Sequence, residues 1–450
     1  MERKKNRKAV NRVKNQRISV SVFGLGHVGA AVAAACIRAG FTVVGADISR
    51  EVVSNAAKGK THVMEPEVQQ AFRNGLKTKR FSATTDLTQA SKITQVKIVT
   101  VPVDITNDSS NLSTIEDVSK EIAKGLKKGD LVSVNSSVPI GTTEDLVLPI
   151  LEREYGLKGE KDFFLVYSPE RVYEGRAVKD IEENYQIIVS GIGARSMKEG
   201  SVFYARLAKK GVIQVSSVKA AEAEKLIEGV YRDVNIALAN ELARICEKTG
   251  INFWEVRKAA NSQPFCHLHK PGTGVGGACI PIYPLFLIET ADKNKIASDM
   301  VKLGRTINTS MPKYCVEAGI ELLQKAGKTI KDANIAVLGL AFRGGVDDTR
   351  LSPSYDVINE LVKAGCKVRV HDPFVYKNSN LPPSVTLTNK LEEAVKDADL
   401  IIVSTDHRQY QSLSKKKLSQ HSGTLVVYDG RGILDKNKFK DAIFAGVGRS

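Results

Sequence analysis

From residue 18 onward apolar and small residues alternate with the two-residue period of a strand. The chain then turns through Gly24-Leu25-Gly26-His27-Val28-Gly29 into an alanine-rich stretch, 30–39, with a helical pattern. Gly40 closes that helix, 41–46 forms a second strand pattern, and Asp47 stands at its end, 18 residues beyond Gly29. Further short apolar runs at 97–101, 131–135, 163–166 and 186–189 alternate with helical stretches such as 115–126, which predicts a parallel sheet covered by helices. From Asn334 the order repeats. A strand at 335–338 leads into a glycine loop (Gly339, Gly344, Gly345) and a helix opened by Ser352-Pro353 and closed by Gly365; a strand at 367–371 then ends on Asp372. Between these two blocks Leu226, Ile227, Val230, Val234, Leu238, Leu242 and Ile245 recur at three- and four-residue steps. One helix over 220–249 follows, a rod of roughly 45 Å at 1.5 Å per residue.

The order strand, glycine turn, helix, strand and terminal acid is that of a dinucleotide fingerprint. Gly24 makes the turn, Gly26 lets backbone approach a pyrophosphate, and Gly29 lets helix pack on strand, with His27 and Val28 in the helix's first turn facing the anion. Asp47 suits the two ribose hydroxyls of NAD and repels a 2′-phosphate, whereas Arg50 leaves room for NADP. The expected fold class is α/β, with two doubly wound Rossmann-like domains joined by a long central helix. Its expected divisions are a basic tail at 1–17, an NAD-binding domain at 18–215, a helical centre at 216–328 that also supplies a dimer face, and a second doubly wound domain at 329–450.

Composition narrows the class. At 450 residues the chain has room for about three domains. With 42% hydrophobic and 26% charged residues it is neither a polyelectrolyte nor a fibre. The net charge of +16 suggests nucleic acid until it is located, because residues 1–17 hold eight Lys or Arg against Glu2 alone. The rest is spread without aromatic-basic alternation, so no nucleic-acid platform is expected. The tail reads as a solvated extension or as an electrostatic contact with an anionic surface. The six cysteines form no C-x-x-C pair, which points to reduced thiols. No apolar run approaches the length of a membrane span, so a cytoplasmic location is expected. Cys266, His267 and His269 crowd too closely for tetrahedral zinc, and no metal is expected.

Cys279 lies in Gly272-Thr-Gly-Val-Gly276-Gly277-Ala-Cys279-Ile-Pro281, a glycine-dense approach that presents a thiol on a turned backbone. Local sequence leaves both a nucleophile and a buried structural cysteine open. Four segments decide between them: Ser168-Pro-Glu170-Arg171 to Glu174-Gly175; Lys225 through Tyr231 to Asn240-Glu241; the Cys279 loop; and Gly339-Leu-Ala-Phe342-Arg343 to Asp348-Thr-Arg350. In this order, behind the fingerprint, they resemble the nucleotide-sugar 6-dehydrogenases, the family of UDP-glucose and UDP-N-acetylhexosamine dehydrogenases.

That resemblance implies two successive oxidations of a sugar C6 alcohol with NAD, the intermediate being held on a cysteine. Cys279 matches the nucleophile and Lys225 the active-site lysine, which stabilises the oxyanion. Glu174 matches the glutamate that manages water or a proton during hydrolysis, with Glu170 four residues earlier on what would be a shared helical face. Ser137 matches a threonine that holds the hydrolytic water. Glu170, Arg171, Lys225, Gly276, Phe342, Arg343 and Arg431 match sugar-nucleotide contacts; Arg350 resembles a UDP-contacting position and is assigned to the cofactor side, an ion pair with Asp347 or Asp348 being its alternative. The active site is expected in the cleft between the sheets, and a homodimer through the central helix is implied. UDP-N-acetylmannosamine is favoured and UDP-glucose is the runner-up.

Three positions depart from the family pattern. Gly229 stands where an asparagine follows the lysine, Tyr283 where an aspartate follows the cysteine, and Phe265 where an arginine reaches the neighbouring subunit's substrate. The phenol of Tyr283 is expected to fill the space left at Gly229 and to donate a hydrogen bond. A silent binding homologue and a one-step hydroxyacid dehydrogenase remain as other readings.

Overall fold

The computed structural model describes residues 18–63, 65–106, 109–418, 424–440 and 442–449. The basic tail at 1–17 lies outside them. The chain forms two compact units, one running through Ile227 and including Leu285–Thr290, the other made of Glu228–Pro284 and Ala291–Ser450.

In the first unit the strands are β1 (Ser19–Phe23), β2 (Thr42–Ala46), β3 (Phe81–Thr84), β4 (Val96–Val99), the hairpin β5 (Asp104–Thr106) and β6 (Ser109–Asn111), β7 (Leu131–Val134), β8 (Phe164–Tyr167), β9 (Ile187–Gly191) and β10 (Val212–Gln214). The main sheet has the order β10-β9-β8-β7-β4-β1-β2-β3. Its pairs are parallel except β8 with β9, where Val166 faces Gly191 and Tyr167 faces Ser190. The expected parallel sheet holds except at that one pair. Between β8 and β9 residues 168–186 form a loop and one short helical stretch, 177–184, too short for a crossover, so β9 returns antiparallel. The strands bury both faces, as sheets covered by helices do: Val20 and Val22 join one apolar cluster, Phe23 and Val99 the other.

The second unit holds a six-stranded, wholly parallel sheet of β11 (Asn334–Leu338), β12 (Lys367–His371), β13 (Thr386–Thr388), β14 (Leu400–Val403), β15 (Val426–Asp429) and β16 (Ile443–Gly446). Its order is β13-β12-β11-β14-β15-β16. In each sheet the order reverses beside the strand that leads into a glycine loop, β1 in one and β11 in the other. At such a switch point the loops diverge and leave a crevice for ligand. Asp372 repeats the part of Asp47: its Oδ2 accepts the amides of Leu340 and Ala341 at 2.7 and 2.9 Å, and His407 Nε2 at 3.0 Å.

The helix Val218–Lys248, 31 residues long, carries the chain from the first unit into the second. Its Ala239 and Ala243 join Met311 and Cys315 of the helix Asp299–Lys325 in the core of the second unit. A different stripe, Ile227, Tyr231, Leu238 and Ile245, remains exposed. Among the described residues no helix is long and apolar enough to cross a membrane.

Candidate active site

The predicted residues of the first unit all lie at the C-terminal ends of its strands or on helices that follow them. After β1, Gly26 opens the helix His27–Arg38 with no side-chain cap and no acid in its first turn. A Cβ placed on Gly26 would meet nothing within 4 Å, whereas one on Gly29 would stand 1.8 Å from the carbonyl oxygen of Gly24. The loop is thus open where a diphosphate would approach and closed where helix meets strand, a cradle that fits a dinucleotide. Val28 packs against the core. The Asp47 carboxylate receives the amides of Leu25 and Ser49 at 2.7 and 2.8 Å, tying the end of β2 to the glycine turn. Arg50 is exposed at the start of the helix Arg50–Ala57.

A second group gathers beyond β7 and β8. Asn135 donates to Glu170 Oε1 at 2.8 Å and is itself fixed by Ser133 (2.7 Å) and Tyr204 (2.9 Å). The Lys225 ammonium donates to the main-chain carbonyl of Glu170. Burial pushes the Glu170 carboxyl up to about 6, against the Asn135 hydrogen bond and the positive Lys225, which pull it down. Ser137 is half-buried three residues past β7. Arg171 donates to the carbonyl of Gln186 and lies 3.9 Å from Glu224.

The expected shared helical face of Glu170 and Glu174 does not form. Residues 168–173 run as loop, because neighbouring carboxylates take amides that a helix would have paired: Asp180 accepts from Tyr173, and buried Glu65 from Gly175 and Ala177. Glu174 instead meets His27 of the dinucleotide turn, Oε1 to Nε2 at 3.3 Å.

In the second unit Cys279 is exposed on its loop. The glycines before it are required by contact. A Cβ on Gly276 would lie 2.6 Å from the Leu351 carbonyl and 2.8 Å from Phe342 Cβ. Gly277, at φ +91°, would press one to 2.9 Å from the Phe342 ring. The amide of Gly277 donates to Arg350 O at 2.9 Å. Phe342 and Arg343 follow β11, with the Arg343 guanidinium 5.7 Å from the Phe342 ring centroid. Arg431 follows β15 and donates from Nε to the Ser404 carbonyl at 2.7 Å. Arg350 forms an ion pair with Asp348, at 2.6 Å. Tyr283 opens the helix Tyr283–Lys293 and its ring lies against Gly229, while Phe265 is almost wholly exposed. His267 and His269 stack edge to face at 5.3 Å, and no three potential ligands cluster for a metal among the described residues.

Several supporting residues escape sequence reasoning. Asn135 and Glu65 shape the Glu170 loop, and Glu65 stands 105 or more positions away with no motif to mark it. Asn240 accepts the Gly272 amide at 2.9 Å and donates to buried Asn308, which in turn bonds Asp233. That chain anchors the start of the Cys279 loop; of its members only Asn308 falls outside the segments singled out from the sequence.

Comparison with known proteins matches three domains of one family in sequence order. The NAD binding domain of the UDP-glucose/GDP-mannose dehydrogenase family covers 18–208, its central domain 219–310 and its UDP binding domain 336–436. The chain is 34% identical over 430 residues to a UDP-N-acetyl-D-mannosamine dehydrogenase of Pyrococcus horikoshii, covering 96% of this chain and 99% of that one. A solved UDP-D-ManNAc dehydrogenase from Pyrococcus horikoshii superposes with a TM-score of 0.89 at 32% identity, over 96% and 99% of the two chains. A UDP-glucose dehydrogenase from Pyrobaculum islandicum gives 0.86 at 26% identity, over 97% and 98%. The dinucleotide cradle, the paired switch-point loops and the threefold domain match agree, and this chain belongs to the UDP-glucose/GDP-mannose dehydrogenase family as an NAD-dependent oxidoreductase of nucleotide sugars.

Proposed function

We propose that the chain oxidises the C6 alcohol of a UDP-N-acetylhexosamine, UDP-N-acetylmannosamine foremost, to the uronic acid, removing four electrons in two steps. The observation that carries this reading is the exposed thiol of Cys279 on a loop fixed by Phe342 and Arg350. Bound at the Gly24–Gly29 turn and Asp47, NAD supplies a hydride acceptor for each oxidation. The Cys279 thiolate adds to the C6 aldehyde and keeps it as a thiohemiacetal, so it does not diffuse away before it is oxidised to the thioester. Water then cleaves the thioester, releasing the carboxylate and restoring the thiol. The Lys225 ammonium stabilises the oxyanion, while Arg343 and Arg431 take the diphosphate.

Glu170 is the group suited to draw the proton from the attacking water, with Ser137 holding that water. Its raised carboxyl is still ionised at neutral pH and Asn135 orients it. Glu174, paired with His27, steadies the dinucleotide turn beside it. The expected kcat/KM rises with pH through about 6 and then levels, since only the ionised carboxylate accepts a proton. Glu170→Gln is expected to lose about 10²-fold or more above pH 7 and to flatten the profile; a profile with the same inflection in that variant contradicts the assignment.

The relatives' names favour the N-acetylmannosamine sugar, and the Glu174-Gly175 pair favours UDP-glucose. A panel of kcat/KM values over UDP-N-acetylmannosamine, UDP-N-acetylglucosamine and UDP-glucose tests the choice, the first being expected to lead.

We also assign the partner of the exposed stripe Ile227, Tyr231, Leu238 and Ile245 as a second copy of the chain. Its spacings of four, seven and seven residues keep one seam along the helix, as self-association of helices requires. Leu238→Glu is expected to halve the mass seen in sedimentation; a wild-type chain that already sediments as a monomer contradicts it.

A further inference from the structure

We infer that the ring of Tyr283 and the bare backbone of Gly229 form a lock that fixes where Cys279 presents its sulfur, which makes Tyr283 a positioning residue. The inference rests on reading Cys279 as the nucleophile.

A Cβ on Gly229 would stand 2.4 Å from Tyr283 Cδ2 and 3.1 Å from its Cβ and Cγ, so any side chain at 229 must displace the ring. Glycine inside a helix is disfavoured by about 1 kcal/mol relative to alanine. Gly229 lies well inside the 31-residue helix Val218–Lys248, where this aromatic ring abuts it. Tyr283 itself is 7% exposed. Its amide and that of Ile282 both donate to the Cys279 carbonyl, each at 3.0 Å. The ring in the glycine notch therefore belongs to the same turn that holds the cysteine backbone.

On the other side Gly277 is held by its bond to Arg350 and by the Phe342 ring. The exposed thiol thus stands between two fixed points only six residues apart, a short tether that pre-organises a nucleophile. Gly229 and Tyr283 become one feature rather than two independent departures: volume removed from the helix is returned by the turn.

The test is the rate at which iodoacetamide alkylates Cys279 in the full-length protein, followed by peptide mass so that the other five cysteines are counted separately. Gly229→Ala and Tyr283→Ala are each expected to change that rate by about tenfold, because a shifted cysteine changes its exposure and its thiolate fraction. Tyr283→Phe, which keeps the ring, stays within twofold. The double variant Gly229→Ala/Tyr283→Ala shows no more than the larger single effect, because both break one contact. A wild-type rate in Gly229→Ala, or a double variant equal to the product of the singles, overturns the lock. Should Gly229→Ala not fold, the contrast between Tyr283→Ala and Tyr283→Phe decides alone, equal rates overturning it. Turnover by Cys279→Ala would sink the nucleophile reading without touching the alkylation result, so the two failures are distinguishable.

Discussion

Cys279→Ala is expected to lower uronate formation by about 10⁴-fold, equivalent to about 5.5 kcal/mol of barrier, with sugar-nucleotide affinity little changed. Without the thiol the C6 aldehyde has no covalent partner to hold it for the second oxidation. Any product that forms should therefore be aldehyde, which a hydrazide traps, and no thioester should be found. The size of the effect follows from the role: a nucleophile acts as a unit with its supporting groups, and losing it removes the route rather than one interaction. The surrounding loop should survive, because its anchors are Gly272 to Asn240, Gly277 to Arg350 and the Gly277–Phe342 contact, none of which involves the Cys279 side chain. Wild-type uronate formation by Cys279→Ala would remove the chemical core of the proposal.

The second large effect is on stability. Lys97 is wholly inaccessible on β4, and its ammonium pairs with Asp130, one residue before β7, while also donating to the Thr94 carbonyl at 2.5 Å. Asp130 further accepts the Lys127 amide at 2.8 Å. Burial works against both charges, lowering the lysine and raising the aspartate, and the pairing opposes it in each case. Removing one partner leaves a bare charge in the sheet, so Asp130→Leu should cost about 3–5 kcal/mol of unfolding free energy. The double variant Lys97→Met/Asp130→Leu should recover most of that loss, because no charge is then stranded. Urea unfolding of the two variants checks both statements; equal destabilisation would show that lost packing, not the stranded charge, sets the cost. The pair stands where Val96 registers with Leu131, and β7 ends just before Asn135 and Ser137, so the same ion pair keeps that edge of the site in register.

Much of this was legible in the sequence because it is written in local pattern. The glycine turn, the acid ending β2, the repeat after Asn334 and the long helix each depend on neighbours within a few residues. The predicted span 220–249 differs from Val218–Lys248 only at its ends. The Gly229–Tyr283 exchange was legible too, since a glycine inside a helix asks for a large neighbour. What escaped depends on distant partners. The spacing of Glu170 and Glu174 predicts a shared helical face, but Glu65 takes amides of that stretch from more than a hundred residues away. The antiparallel turn of β9 is invisible for the same reason. Neither Asn135 orienting Glu170 nor Asn308 anchoring the Cys279 loop through Asn240 carries a local signature, because each works through a buried bond to another element.

The most direct measurement is the number of NADH molecules formed per UDP-N-acetylmannosamine consumed, with the uronate identified by mass. The expected result is two, with no free aldehyde in solution, since both oxidations occur while the sugar is held on Cys279. One NADH per sugar with aldehyde released would contradict the account, as would UDP-N-acetylmannosamine consumed without NADH.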